Sequence, residues 1–205
     1  MSSVHALWSS RRSRVAVVAA CVAALGTSVM VVGAPAARAD AICSSPNPAT
    51  ELIRSPGPDQ TIGSSDLALD APAPYASRTR VHMWAKHGRP NQVWCFRYVG
   101  LSGNGSGIYQ IENRQAGRCL DASADAPARD GTPVYLYTCF STSGEPPANQ
   151  KWYIQWLGTS SPFFVLRNVR DGRCLDIVNR SSAVGAKLWT WRCHFGWNQR
   201  WYVEK

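Results

Sequence analysis

Asn91-Gln92-Val93-Trp94, Asn149-Gln150-Lys151-Trp152 and Asn198-Gln199-Arg200-Trp201 are one four-residue word written three times. Each copy lies about 20 to 30 residues after a Leu-Asp pair: Leu69-Asp70, Leu120-Asp121 and Leu175-Asp176. An aromatic falls between each pair and its closing word: Trp84, Tyr137 and Trp191. Repetition at about 50 residues marks supersecondary units that bury a core only together. The polar and aromatic residues recur in the same frame, so the chain repeats a candidate site as well as a scaffold.

Working outward, the second and third repeats align closely. Asn113-x-x-x-Gly117-Arg118-Cys119-Leu120-Asp121 matches Asn168-x-x-x-Gly172-Arg173-Cys174-Leu175-Asp176. Tyr109-x-Ile111 and Phe164-x-Leu166 precede them with the period of two expected of half-buried strands. Val134-Tyr135-Leu136-Tyr137 and Leu188-Trp189-Thr190-Trp191 follow, then Trp152-Tyr153-Ile154 and Trp201-Tyr202-Val203. Gly, Pro, Asn, Asp and Ser fill the gaps, and no long stretch has a helical period. The expectation is an all-β domain of about four short strands per repeat, about twelve in all. Its repeats run over about 51–99, 100–157 and 158–205, after an N-terminal segment, 40–50. The first repeat diverges most: Ala68 and Lys86 stand where the others carry cysteines. The second carries an insertion, Ser141 to Ala148. Gly103-x-Gly105-x-Gly107 reads as a turn between repeats, because no helix follows to make it a phosphate loop.

The first 39 residues read as a cleaved export signal. Arg11, Arg12 and Arg14 form a basic start, Val15 to Ala34 is almost wholly apolar, and Ala37-Arg38-Ala39 is a small-x-small cleavage site. A retained anchor is the rival reading, since about 20 apolar residues span a bilayer. Val18-Ala19-Ala20-Cys21 fits a lipoprotein site poorly, with too short an apolar stretch before it, and Ser10-Arg11-Arg12 is only a partial twin-arginine signal. The leader holds four of the 22 basic residues and none of the 13 acidic ones, so its removal lowers the formal charge from +9 to +5. With no Lys/Arg-rich run in the body, nucleic acid is a poor partner. Expected, then, is a secreted protein with no membrane insertion after cleavage.

Cysteine use agrees with export. Cys21 leaves with the leader, and Cys43, Cys95, Cys119, Cys139, Cys174 and Cys193 remain. An even set in an exported chain implies disulfides. Cys119 and Cys139 occupy the repeat positions of Cys174 and Cys193, so each pair closes within its repeat. Cys43 and Cys95 then pair by elimination. A zinc site is the alternative, but there is no Cys-x-x-Cys and the four His are scattered. No metal or other cofactor is expected.

Three repeats, each with Cys-Leu-Asp or Leu-Asp early and Gln-x-Trp late, resemble the ricin B-chain type of carbohydrate-binding domain, over about residues 50 to 205. The resemblance implies a β-trefoil: twelve strands in three pseudo-symmetric lobes around one core. It implies a sugar site in each lobe. Asp70, Asp121 and Asp176 would be the ligand carboxylates, and Asn91, Asn149 and Asn198 the ligand amides. Trp84, Tyr137 and Trp191 would stack on the sugar, His82, Tyr135 and Trp189 would flank it, and Gln92, Gln150 and Gln199 would brace the Asp.

These residue types suit the task. A sugar presents an apolar C–H face and a rim of hydroxyls. A flat, rigid aromatic covers the face at low ordering cost. An ionised Asp accepts charge-assisted bonds from neighbouring hydroxyls, and an Asn amide both donates and accepts. The bland readings are a turn role for each Asp and a core role for Trp94, Trp152, Trp201 and the paired leucines. Asn104 and Asn179 head Asn-x-Ser sequons that read as loop residues. The leading function is a secreted, non-enzymatic lectin for galactose-like or xylan-type glycans. The third repeat is its best site, because it keeps its cysteines, lacks an insertion and carries Trp. A glycan-targeting subunit of a separate enzyme or toxin, and an inhibitory or structural trefoil, are the alternatives. Catalysis is disfavoured: a glycosidase needs two carboxylates about 5 to 10 Å apart, the recurring acids come one per lobe, and no Gly-x-Ser-x-Gly elbow exists.

Overall fold

Period-two alternation becomes twelve strands, four to a repeat. The computed structural model describes residues 49–54, 66–125, 127–140 and 145–204, with side chains from 66 to 203. All lie in one unit, Ala34–Lys205. The first lobe holds β1 (Ala49–Arg54), β2 (Leu67–Asp70), β3 (His82–Ala85) and β4 (Val93–Leu101). The second holds β5 (Gly107–Asn113), β6 (Arg118–Ala122), β7 (Thr132–Tyr137) and β8 (Lys151–Trp156). The third holds β9 (Phe164–Asn168), β10 (Cys174–Ile177), β11 (Leu188–Trp191) and β12 (Trp201–Glu204).

The outer strands of each lobe close a barrel. β1 pairs with β4, β4 with β5, β5 with β8, β8 with β9, β9 with β12, and β12 returns to β1, every pair antiparallel. Such closure removes the sheet edges. The inner strands form three hairpins, β2–β3, β6–β7 and β10–β11, which cap one end. An equivalent backbone bond in each lobe joins its hairpin to the next. The Arg78 N–H donates to the Leu136 carbonyl at 2.7 Å, Gly131 to Thr190 at 2.9 Å, and Gly185 to Met83 at 2.7 Å. These bonds run from lobe one to two, two to three and three to one, so the cap has the same threefold order as the barrel. The β-trefoil is this arrangement.

The core explains the recurring apolar words. Trp94, Trp152 and Trp201 are wholly buried, together with Leu69, Leu120 and Leu175. Each indole N–H donates to the carbonyl of its lobe's leucine, at 2.9, 3.0 and 3.4 Å. A buried Trp needs such a partner, and the bond anchors the strand just before the Asp. Asn113 and Asn168 tie successive lobes together. Their amides donate to the Asn91 and Asn149 carbonyls at 2.9 and 3.0 Å, holding the closing word of the preceding repeat.

Two disulfides follow the repeat register: Cys119–Cys139 and Cys174–Cys193, with Cα separations of 5.0 and 5.1 Å. Cys95 is buried and disulfide-bonded; its expected partner, Cys43, lies outside the described residues, as does the expected leader. In lobe one the position is filled by buried Ala68, packed near Tyr202. Closing a loop of 19 residues is worth about 3 kcal/mol. A Cys174→Ala/Cys193→Ala double variant should lose about that much in urea denaturation. An unchanged midpoint would show that the unfolded chain gains nothing from the missing link.

Candidate functional site

Hairpin geometry puts the Asp and the aromatics on one outward face. Val81, just before β3, and Met83 on it lie in the core while His82 and Trp84 take the alternate face; β7 repeats this with Tyr135 and Tyr137, and β11 with Trp189 and Trp191. Asp70 lies directly across from His82, Asp121 from Tyr135 and Asp176 from Trp189. The expected stacking residues sit one diagonal further, within reach of long aromatic side chains. The flanking and stacking rings lie together: His82 and Trp84 stack at 5.2 Å, and Trp189 and Trp191 are 4.8 Å apart.

The Asn-Gln pair enters on a single 3-10 turn, Pro90–Gln92, Ala148–Gln150 or Trp197–Gln199. Both amides then reach the same carboxylate oxygen. Asp70 Oδ2 accepts from Asn91 at 2.7 Å and Gln92 at 3.1 Å. Asp121 Oδ2 accepts from Asn149 and Gln150, each at 2.9 Å. Asp176 Oδ2 accepts from Asn198 at 2.9 Å and Gln199 at 2.7 Å. The glutamines are braces at both ends. Nε2 also donates to the Ala85, Thr138 or Arg192 carbonyl, and Oε1 accepts the backbone N–H of His87, Phe140 or His194. Each Gln therefore fixes the Asp and the loop after β3, β7 or β11 in one setting.

The other oxygen distinguishes the lobes. Asp70 Oδ1 is bonded to His82 Nε2 at 3.0 Å, and Asp176 Oδ1 accepts from the Trp189 indole at 2.8 Å. Tyr135 makes no such bond among the described residues, so Asp121 Oδ1 faces a cleft. That cleft, about 480 Å³, is lined by Asp121, Tyr135, Tyr137, Phe140 and Asn149, with Arg78 and Asp125 on its wall. The third, about 460 Å³, holds Asp176, Trp189, Trp191, Arg180, His194 and Asn198. The first, about 250 Å³, holds Asp70, His82, Trp84, His87 and Asn91. The sequence favours the third repeat for its intact cysteine pair, its lack of an insertion and its stacking Trp191. The geometry differs: the Trp189 indole donates to the carboxylate, and Asn198 is buried, whereas Asn149 in lobe two is only partly so.

Burial also sets the charge. It pushes the Asp121 carboxyl up to about 6, against the opposing pull of the Gln150 and Asn149 amides. Asp176 is raised by burial too, opposed by bonds from Trp189, Gln199 and Asn198.

Several site residues escaped the sequence reading. His87 and His194 each stand four residues before the site Asn, and their imidazoles approach the carboxylate at 3.6 and 3.3 Å. That common offset was the available signal; the insertion hides the equivalent Phe140, which stacks on Tyr137 at 5.7 Å. Arg78 reaches over from lobe one to form a forked pair with Asp125 at 2.7 and 2.9 Å. Glu112 lies beside Cys119 and Cys139, but their sulfurs are joined to each other and unavailable as thiolate ligands.

Comparison with known proteins places this architecture. A profile described as the ricin-type β-trefoil lectin domain matches residues 107–205, and a related profile, ricin-type β-trefoil lectin domain-like, matches 61–137. No curated protein matches the chain. Among solved structures, a designed threefold-symmetric protein, ThreeFoil, is 26% identical with a TM-score of 0.61, covering 77% of this chain and 98% of its own. An exo-β-1,3-galactanase from Clostridium thermocellum is 23% identical with a TM-score of 0.57 over 76% of this chain, which spans only 29% of that enzyme. A Macrolepiota procera ricin B-like lectin, solved with lactose, is 16% identical with a TM-score of 0.54, covering 77% and 95%. The last two likenesses are of fold. The two profiles together span residues 61–205, and the chain belongs to the ricin-type β-trefoil lectin family.

Proposed function

We propose that this protein is an exported, non-enzymatic lectin with up to three sugar sites, of which the second, among the described residues, leaves its carboxylate the freest. The observation that carries the reading is the Asp121 carboxylate. It is held by two amides through one oxygen, while the other opens into a cleft walled by Tyr137. In this reading a sugar face lies on Tyr137, neighbouring hydroxyls donate to Asp121, and Asn149 completes the network. Asp70 with Trp84 and Asn91, and Asp176 with Trp191 and Asn198, repeat the amide-held carboxylate beside an aromatic, with the second oxygen already bonded to His82 or Trp189. Galactose-like or xylan-type units are the expected ligands. Each site would be shallow, with affinity on the order of 1 mM, about −4 kcal/mol, and three on one rigid body would act together on a polymer.

The other carboxylates of the second cleft support binding rather than turnover. Asp125 is forked to Arg78, and Glu145 is paired with Lys151. Arg78 holds the Asp125 carboxyl below the usual range, which unsuits it as a general acid. The same sites would serve a targeting subunit of a separate enzyme or toxin. A glycan array probed with the secreted protein tests the reading. Retention on a defined set of glycans is expected, and retention on none would return the chain to a structural trefoil.

The second site should also respond to pH. Its carboxyl titrates near 6, so the anion is lost as pH falls through 6, and affinity at pH 5 should be about tenfold below that at pH 7.5. The shift is upward, so the folded chain gains rather than loses stability from this group as pH falls. Loss of binding is then not unfolding. Titration calorimetry at both pH values checks this; an affinity flat across the range would contradict the anionic role.

A further inference from the structure

We infer that the third cleft selects a sugar unit carrying an anionic group, with Arg180 as the residue that recognises it. The inference rests on the sugar-site reading above and specifies its ligand in lobe three.

Two positions decide it. The first is four residues after the site Asp, occupied by Pro74, Asp125 and Arg180. The second is the residue whose N–H crosses to the next lobe, Arg78, Gly131 or Gly185, each with φ between 70° and 86°. In the second cleft both positions carry charge: Arg78, from lobe one, is neutralised by Asp125. In the third cleft only one does. Arg180 is exposed, lines the cleft, and among the described residues has no ion-pair or hydrogen-bond partner. The lobe-two position equivalent to Arg78 is Gly131, which lies beside the Trp189 and Trp191 rings and has no side chain.

That Gly131 opens onto this site is shown by its surroundings. A Cβ added there would lie 3.6 Å from the Trp189 ring and 3.8 Å from Trp191. The adjacent acid, Asp130, is already held by Arg173 at 2.9 Å and Arg192 at 2.7 Å. The third cleft thus holds half of the ion pair that the second cleft completes internally. The backbone supports a purpose for it. Asn179 and Arg180 have φ of 56° and 53°, the left-handed region that non-glycine residues enter at some cost. Meanwhile Asp176 has both oxygens engaged, which leaves it less capacity for sugar hydroxyls than Asp121 has. A guanidinium, always charged and rich in donors, recognises a planar carboxylate or a sulfate.

The indole NMR signal of Trp191, assigned with a Trp191→Phe variant, reports on this cleft alone. The secreted protein would be titrated with a uronic-acid oligosaccharide, a sulfated one, and their neutral counterparts. Expected is a shift of the signal with one or both anionic probes, affinity falling with added salt, and a loss of about tenfold or more in Arg180→Ala; which anionic probe binds tells carboxylate from sulfate. If neutral and anionic probes move the signal equally and Arg180→Ala changes nothing, the inference is overturned while the sugar site stands. If no sugar moves it, both readings fail for this lobe.

Discussion

Trp152→Ala should cost about 3–5 kcal/mol of folding stability, among the largest effects expected of a single change. Its side chain is wholly buried in the shared core and spans β8 and the second hairpin. Removing it opens a cavity that three lobes of short strands cannot close, and it orphans the Leu120 carbonyl. A typical domain has about 5–15 kcal/mol in total, so the variant would stand near its unfolding threshold. Trp152→Phe separates the two losses: it keeps most of the volume and forfeits only the indole bond, a cost of about 1–3 kcal/mol. Urea denaturation of both variants measures this. An alanine variant within about 1 kcal/mol of the parent would mean that the repeated Trp is not core.

Asp121→Asn should silence the second site and leave the fold intact. The substitution keeps an oxygen for Asn149 and Gln150 but removes the charge that hydroxyls would bind. Loss of charge-assisted bonds costs about 1.5–3 kcal/mol, roughly 10- to 100-fold in affinity, which takes a millimolar interaction out of range. Stability should hold or rise, because burial already disfavours the anion. The variant should also abolish the pH dependence of that site. Calorimetric titration beside a thermal melt decides it; undiminished binding would remove Asp121 from the recognition chemistry.

Much of the fold was legible because its core is written in a repeating frame. Trp94, Trp152, Trp201 and the paired leucines recur at positions that only a shared interior explains, and two cysteine pairs follow the same register. The Asp, Asn and Gln of each site were legible for the same reason: one short turn aims both amides at one carboxylate oxygen. What differs between lobes was not legible. Whether Asp Oδ1 is open depends on the residue across the hairpin, and His82, Tyr135 and Trp189 look interchangeable as flanking rings. Only in three dimensions does the Trp189 indole prove to be a donor to Asp176, a difference between the lobes that ring size does not reveal. Arg78 and Asp125 were missed because they pair across lobes. The loops carrying them do not share a length or a motif, so the pairing of Arg78 with Asp125 exists only once the hairpins meet at the cap.

The central claim is that the three Asp clusters are the sugar-binding chemistry of this chain. Its most direct test is a glycan array probed in parallel with the parent protein and an Asp70→Asn/Asp121→Asn/Asp176→Asn triple variant of matching circular dichroism. The account predicts that the parent binds a defined glycan set and the folded triple variant binds none of it. A triple variant that retains the parent's binding pattern would contradict it.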